Sequence, residues 1–439
     1  MIFSVASVGV GFDAPAGTVE HTRRWRRLRA TTTPGLLRKC SVGLAVAVAM
    51  LWGVSLATIT ARHDAIQGMR HDSGPSFVAA QRIHDALSEA DATVAGAFLV
   101  GGVEPATLRA AYDRSIATAT QQLVDLDRTG VPARLRGPLT ILSGQIPVYT
   151  GLVERARANN RSGFVIGAAY LRKASGLMQN TILPAADQLA AFDADRIHAG
   201  YMSATRWYHP ALVIVFGGLA LAGLVAVQVL LSRRTHRILN VPLVAATVLV
   251  TVSSLLILTA FAAERATLRD GRDHGFVPMT VVAQARVLAL RAWADQSLSL
   301  IARGDGAVFD TDADATAARL NQVLAAGSAL GGPDASTRAG LTASWRDYES
   351  TSGRVRRSAS DVGGFQDAVA LALGDGTPRF HRFDQQADTA VTASQRRFSA
   401  RLSSADSVLG SLAVGTAVAL ALAALLVLAG LQLRINEYR

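Results

Sequence analysis

Four long apolar segments constrain the fold of this 439-residue chain more than any other feature of its sequence. They cover residues 40–60, 210–231, 238–262 and 408–433, and none of them contains Asp, Glu, Lys, Arg or His. A helix needs about 20 apolar residues to cross a hydrocarbon layer roughly 30 Å thick. Helices in soluble cores rarely run that far without a charge. We therefore predict four transmembrane helices, in agreement with a mean hydropathy of +0.27.

The positive charge of the chain lies beside these apolar segments. The net charge is +11, and two tails and one short loop hold +9 of it: +5 in residues 1–39, +3 in 232–237 and +1 in 434–439. Short basic segments stay in the cytoplasm. We therefore predict a multi-pass protein of the plasma membrane with both termini in the cytoplasm. Because topology explains the charge, we predict no nucleic-acid partner.

Two long segments, residues 61–209 and 263–407, lie between the apolar ones and are predicted to be extracytoplasmic. Their lengths are nearly equal, which suggests an internal duplication. A shift of 203 residues aligns several identical residues in the two segments: Arg62 with Arg265, His71 with His274, Ala80-Gln81 with Ala283-Gln284, Ala86-Leu87 with Ala289-Leu290, and Gly101 with Gly304. We predict an all-α membrane protein with two tandem extracytoplasmic domains that resemble four-helix bundles.

The apolar residues of both long segments recur at helical spacing. Three stripes with steps of three and four residues predict buried helix faces: Ile83, Leu87, Ala90, Val94 and Ala97; Val287, Leu290, Ala294, Leu298 and Ile301; and Leu171, Ser175, Met178, Ile182, Ala185, Leu189 and Phe192. Alternating β patterns are scarce. The segments are therefore predicted to be helical.

Glycine, proline and polar clusters divide each long segment into four helices. The breakers are residues 101–105, 128–132 and 159–163 in the first segment, and 303–306, 327–333 and 363–364 in the second. No strong breaker separates Phe192 from Trp207, or Arg396 from Val408. We therefore expect the last helix of each segment to continue into its transmembrane helix, with a kink at Pro184 in the first.

Catalytic and metal-binding patterns are missing from the sequence. No nucleophile, phosphate-binding or C-x-x-C motif is present, and the single cysteine excludes an internal disulfide. The run Asp310-Thr311-Asp312-Ala313-Asp314 resembles the start of a calcium loop, but Ala315 and Asn321 replace the required glycine and glutamate. We predict no enzymatic activity, cofactor or metal site.

The basic residues on the cytoplasmic side are the candidate contact site for a partner or for lipid. They are Arg23, Arg24, Arg26, Arg27, Arg29, Arg233, Arg234 and Arg237. Attraction to anionic membrane lipids is the simplest interpretation, and docking of a protein is the alternative. Because only six residues follow the last apolar segment, we expect a separate polypeptide to receive any signal.

The duplicated layout, the length and the segment at residues 170–184 (YLRKASGLMQNTILP) resemble the GlnX family of actinobacterial membrane proteins. That resemblance implies a signal relay. In it, an amino-acid-binding lipoprotein outside the membrane senses aspartate or glutamate, and a soluble Ser/Thr kinase, protein kinase G, responds inside. It implies no residue roles. Homo-oligomerisation is left open.

Two other functions compete with the relay. A direct chemoreceptor would bind a small molecule in its own bundles, where Arg82 and Arg172 would hold a carboxylate. A transporter subunit is disfavoured, because ion and proton pathways normally need ionisable groups inside the membrane.

Overall fold

The computed structural model describes residues 33–101, 103–128, 130, 132–162, 166–235, 240–302, 306–327 and 332–436. These residues are almost entirely helical, and no strand occurs among them, which confirms the all-α prediction for this part of the chain. The first half contains seven α-helices: α1 (Thr33–Gln67), α2 (Gly74–Val100), α3 (Ala106–Arg128), α4 (Arg136–Arg161), α5 (Ile166–Leu177), α6 (Leu183–Ala204) and α7 (Tyr208–Thr235).

The second half repeats this order. Its helices are α8 (Val241–Gly271), α9 (Val277–Ala302), α10 (Ala307–Ala326), α11 (Ala335–Ser360), α12 (Phe365–Leu371) and α13 (Thr377–Asn436). We call the outer helices of the first half, residues 61–204, the first copy, and those of the second half, residues 263–407, the second copy. In both copies a helix ends at or beside each predicted breaker.

The two copies differ where their last helices approach the next apolar segment. Helix α13 is unbroken for 60 residues, as expected. Helix α6 ends at Ala204, and α7 begins only at Tyr208, so the expectation of a continuous helix in the first copy is wrong. The break itself contains no glycine or proline, but Pro210 stands in the first turn of α7. Proline is tolerated in a first turn and disfavoured inside a helix, so Pro210 is the sequence signal for this break.

Short π-helical segments interrupt both copies at corresponding places. They are π1 (Gly68–Ser73), π2 (Met178–Ile182), π3 (Arg272–Phe276) and π4 (Ala372–Gly376). A proline is the second residue after each of them: Pro75, Pro184, Pro278 and Pro378.

The prolines explain the π segments. Proline has no N–H to donate, and its ring clashes with the carbonyl four residues earlier. The residue before each proline donates instead to the carbonyl five residues back, as Gly74 does to Met69 and Val277 does to Arg272. The wider turn makes room for the ring. Pro75 and Pro278 are related by the same 203-residue shift as the aligned residues, which strengthens the case for a duplication.

The chain divides into two compact units. The apolar unit contains the described residues of Met1–Ala57, Tyr208–Leu258 and Val414–Arg439, and the large helical unit contains Thr58–Trp207 and Thr259–Ala413. Both copies thus lie in one unit. The predicted division into separate domains at 61–209 and 263–407 stays a prediction.

The apolar unit packs four helical stretches around one buried seam. The seam follows steps of three and four residues on each stretch, as side-by-side helices require: Leu44, Val48 and Leu51; Ala220, Leu224, Val227 and Leu231; Leu243, Ala246 and Val250; and Leu420, Ala423 and Val427. The faces outside the seam expose many large apolar side chains, including Ile214, Leu255 and Leu425. Such surfaces suit lipid better than water.

Three helical stretches of the described chain are long and apolar enough to cross a membrane. They lie within Lys39–Val100, Ile166–Arg233 and Val241–Ala302, and Val414–Gly430 is a shorter apolar helix. Together with the exposed apolar faces, these stretches identify a membrane protein.

Candidate sensory site between the two copies

The first helices of the two copies, α2 and α9, pack directly against each other. All five residues of the predicted stripe on α2 are buried. On α9, Leu290, Ala294 and Leu298 are buried, while Val287 and Ile301 are partly exposed. Each of these helices packs against helices of its own copy and of the other copy. More than the predicted stripe is therefore buried, and the buried residues include polar ones.

Asp91 is a buried acidic residue of the first copy. It lies on α2, is 3% exposed, and accepts hydrogen bonds from Ser175 Oγ (2.6 Å) and Tyr149 Oη (3.2 Å). Burial raises the pKa of Asp91 to about 6, although both hydroxyl donors lower it. No Lys or Arg nitrogen of the described residues lies within 4 Å of its carboxylate.

Asp295 on α9 is the buried aspartate of the second copy at the same contact, and a glutamine of the first copy reaches it. Gln179, in π2, donates its amide to Asp295 Oδ1 (3.1 Å) and lies 3.5 Å from Ser175 Oγ. Burial raises the pKa of Asp295 to about 6. Arg291 Nε is 3.7 Å from Asp295 Oδ2, and neither of these buried atoms has a hydrogen-bond partner. A polar chain thus runs from Asp91 to Arg291 across the contact between the copies.

A second polar cluster crosses the same contact. Arg286 on α9 binds Asp384 of α13 through Nε (2.6 Å), and its Nη1 lies 3.3 Å from Asp388 and 3.6 Å from Asp85 of α2. Its side chain is only 12% exposed. Burial raises the pKa of Asp85 to about 7, although Arg286 lowers it. This one guanidinium therefore compensates carboxylates from both copies.

A buried ion pair joins the copies where each begins. Arg62 Nη1 lies 2.8 Å from Glu264 Oε2, and the two side chains are 2% and 0% exposed. The guanidinium also sits 4.0 Å from the centre of the Phe261 ring. When an ion pair is buried this completely, removal of either partner strongly destabilises the fold.

A cavity of about 550 Å³ opens beside the polar chain. The first copy lines it with α2, π2 and α6, and the second copy lines it with α9. Its polar lining residues include Gln81, His84, Ser88, Asp91, Gln179, Asp187, Gln284 and Arg291, and its apolar ones include Phe77, Leu183 and Leu288. This volume and mixed lining are typical of small-molecule sites.

Asp187 lies at the exposed edge of this cavity, beside the buried His84. His84 Nε2 lies 3.2 Å from Asp187 Oδ1, and the side chains are 5% and 69% exposed. Burial lowers the pKa of His84, which opposes the effect of Asp187. Burial thus disfavours the charged form of the imidazole next to this carboxylate.

A second cavity, of about 690 Å³, lies beside π1. Arg82 lines it together with Arg70, Asp193 and Arg196, and it reaches Phe398 of the second copy. Arg172, the other arginine predicted to hold a carboxylate, lines neither cavity. The structure therefore does not bring the predicted pair together.

The predicted cytoplasmic site is described only in part. Arg233 is exposed near the end of α7, and for Arg234 only the helical backbone is described. Arg23, Arg24, Arg26, Arg27, Arg29 and Arg237 lie outside the described residues.

The buried polar residues at the contact between the copies were not predicted from the sequence, although one signal pointed to them. Asp91 and Asp295 each interrupt an otherwise apolar or small-residue helical face. A charge on such a face is normally paired or functional. The partners, in contrast, come from distant helices and leave no local pattern.

Residues 65–202, which cover the first copy, match the family model described as Actinobacterial sensor domain. The match spans under one third of the chain. It supports an actinobacterial sensor protein with a role in signalling, and it does not distinguish the GlnX family from other such sensors. No curated protein and no solved structure matches the chain.

Proposed function

We propose that this chain is a multi-pass membrane sensor that relays extracytoplasmic aspartate or glutamate availability to a soluble Ser/Thr kinase in the cytoplasm. The sensing step is shared with a solute-binding lipoprotein, and the chain itself performs no chemical reaction. The sensor-domain match supports the signalling role, and the resemblance to the GlnX family supports the two partners. Four transmembrane helices place two tandem bundles outside the membrane.

One observation carries the proposal. Helix α13 begins in the second copy at Thr377, beside the inter-copy contact, and continues without a break to Asn436 beyond the last apolar segment. Asp384 and Asp388, which hold Arg286, are on this same helix. A change at the contact between the copies therefore acts on a helix that extends to the cytoplasmic side. Packed helices prefer discrete arrangements, so such a change favours one arrangement over another.

The topology has a direct test. Cys40 is the single cysteine, so a Cys40→Ser background accepts new cysteines at Val103, Val362 or Arg233, all exposed positions. In intact cells, a membrane-impermeant maleimide should label V103C and V362C. R233C should react only after the membrane is opened. Labelling of R233C in intact cells would reject the proposed orientation.

The kinase contact is tested through the cytoplasmic arginines. Arg233, Arg234 and Arg237 are changed together to alanine, and in a second variant residues 1–39 are replaced by a neutral segment of equal length. Kinase that co-purifies with the protein from cross-linked cells should fall in at least one variant. The control is Arg172→Gln, which changes an arginine of the first copy instead. Undiminished kinase recovery from both variants would exclude this surface.

A second candidate function is direct chemoreception by the large helical unit. The cavity between the copies supports it, because its walls come from both copies and its lining is mixed polar and apolar. A ligand there needs no lipoprotein. Signalling that persists in cells without the lipoprotein would favour this candidate over the relay.

A further inference from the structure

We propose that the cavity between the copies binds a small zwitterion, with Arg291 holding its carboxylate and Asp187 its ammonium group. This inference rests on the proposed sensing role and names a ligand class for the large helical unit itself. It requires no particular partner protein.

The positive side of the site is Arg291. Among the described residues, Asp295 is the one carboxylate within 4 Å of it, and that contact uses Nε at 3.7 Å. The side chain is 40% exposed and lines the cavity. A guanidinium fork in this position is suited to bind a carboxylate through two N–H groups.

The negative side belongs to the other copy. Asp187 is largely exposed on α6, and burial disfavours the charged form of its neighbour His84. Asp91 lies deeper and is already held by two hydroxyl donors, so Asp187 is the carboxylate available to a ligand. The carboxylate and the guanidinium are thus contributed by different copies.

Fixed charges of opposite sign select a ligand that carries both. A simple carboxylate would leave Asp187 without a countercharge and add a negative group beside it. A simple amine would leave Arg291 unmatched. Juxtaposed like charges repel, and a fixed charge that the ligand leaves unmatched adds nothing to binding. The apolar lining at Phe77, Leu183 and Leu288 accommodates a short hydrocarbon part.

The site also explains how occupancy would be registered. A ligand that bridges Arg291 and Asp187 contacts α9 and α6 together, so it binds best to the arrangement of the copies that brings those groups within reach. A ligand shifts an equilibrium only through such a difference in affinity. Gln179 lines the same cavity and links the copies through Asp295, so the ligand lies against an existing inter-copy contact.

A matched set of four-carbon probes tests the inference on the full-length protein in lipid nanodiscs. The probes are 2-aminobutyrate and 4-aminobutyrate, which carry both charges at different spacings, butyrate, which carries only the carboxylate, and butylamine, which carries only the ammonium. Binding is measured by saturation-transfer NMR titration. At least one aminobutyrate should bind roughly tenfold or more tightly than butyrate and butylamine, as expected for one lost charged hydrogen bond.

Variants assign the binding to this cavity. Arg291→Gln and Asp187→Asn should each weaken aminobutyrate binding by about tenfold or more, and Arg172→Gln should not. Asp187 is well exposed, so its variant keeps the test valid even if Arg291→Gln disturbs folding. The inference is overturned if neither aminobutyrate binds, if a singly charged probe binds as tightly, or if Asp187→Asn leaves binding unchanged. Maleimide labelling and kinase recovery do not depend on this cavity, so these results would leave the proposed relay standing.

Discussion

Replacing Arg286 with glutamine removes the cation shared by carboxylates of both copies. Asp384 loses a contact of 2.6 Å, and Asp85 and Asp388 lose contacts of 3.6 and 3.3 Å. Removing one partner of a fully buried ion pair costs about 3–5 kcal/mol. Because Asp388 is 60% exposed and is solvated in either case, we expect a lower value, about 2–4 kcal/mol. For a unit of this size, that loss lowers the unfolding midpoint by roughly 3–6 °C.

The same substitution predicts a definite pH dependence. Burial already raises the pKa of Asp85 to about 7, and loss of Arg286 raises it further. A carboxyl group with a raised folded-state pKa binds more protons in the folded state, so its unfavourable contribution grows as pH rises from about 4 to 7. The stability lost in Arg286→Gln should therefore be larger at pH 7.5 than at pH 5.5, where Asp85 is protonated in the folded state with or without Arg286.

Thermal unfolding of the full-length protein in nanodiscs, followed by tryptophan fluorescence, measures both effects. Trp293 and Trp345 are buried within the second copy, close to α13, and they report on this region. Arg172→Gln is the control and should stay within about 1 °C of the wild type. An Arg286→Gln midpoint equal to that of the wild type at pH 7.5, or a deficit that is identical at both pH values, would refute the reasoning.

Three further outcomes are expected. Arg62→Leu alone should destabilise the protein by about 3–5 kcal/mol, because Glu264 is left buried without a countercharge, whereas Arg62→Leu with Glu264→Leu should recover most of that loss in the same unfolding assay. The double variant Asp91→Asn with Asp295→Asn should flatten the dependence of stability on pH between about 4 and 6, the interval between the ordinary pKa of an aspartate and the pKa of about 6 that burial gives these two groups. The two carboxyl groups make the wild type less stable as pH rises through this interval, and an unchanged slope would mean that other groups titrate. Pro378→Ala restores a backbone N–H after π4 and should allow a regular α-helix there, which hydrogen exchange of the following turn would detect as slower exchange.

The positions of the helices could be predicted from the sequence because glycine and proline end helices through local effects on the backbone. Every predicted breaker in the described residues separates two helices, from Gly101 to Gly364. The one wrong helix prediction, at residues 205–207, concerns a break that Pro210 marks from the first turn of the next helix. The π segments were not predicted, although Pro75 and Pro278 stand at equivalent positions. At Pro184 the sequence predicts a kink only. Whether a proline inside an apolar helix causes a kink or a wider π turn depends on the residues that pack around it.

The candidate site was far less predictable. Arg82 and Arg172 are the arginines predicted to hold a carboxylate in a direct chemoreceptor, and of these two only Arg82 lines one of the two cavities. Arg291 and Asp187 are separated by about a hundred residues in sequence, and their roles depend on how the two copies meet. Side-chain spacing describes one helix at a time, so it cannot specify a site whose charges come from two repeats.

The break after Ala204 and the unbroken α13 give the duplicated halves unequal mechanical properties. A single helix of 60 residues is about 90 Å long, and a twist applied near Asp384 is transmitted along a continuous ladder of backbone hydrogen bonds. Residues 205–207 interrupt that ladder in the first half, where α6 ends and α7 begins. The two similar halves therefore differ in one mechanical respect: only the second has a last helix whose backbone runs uninterrupted from its outer helices into its apolar segment.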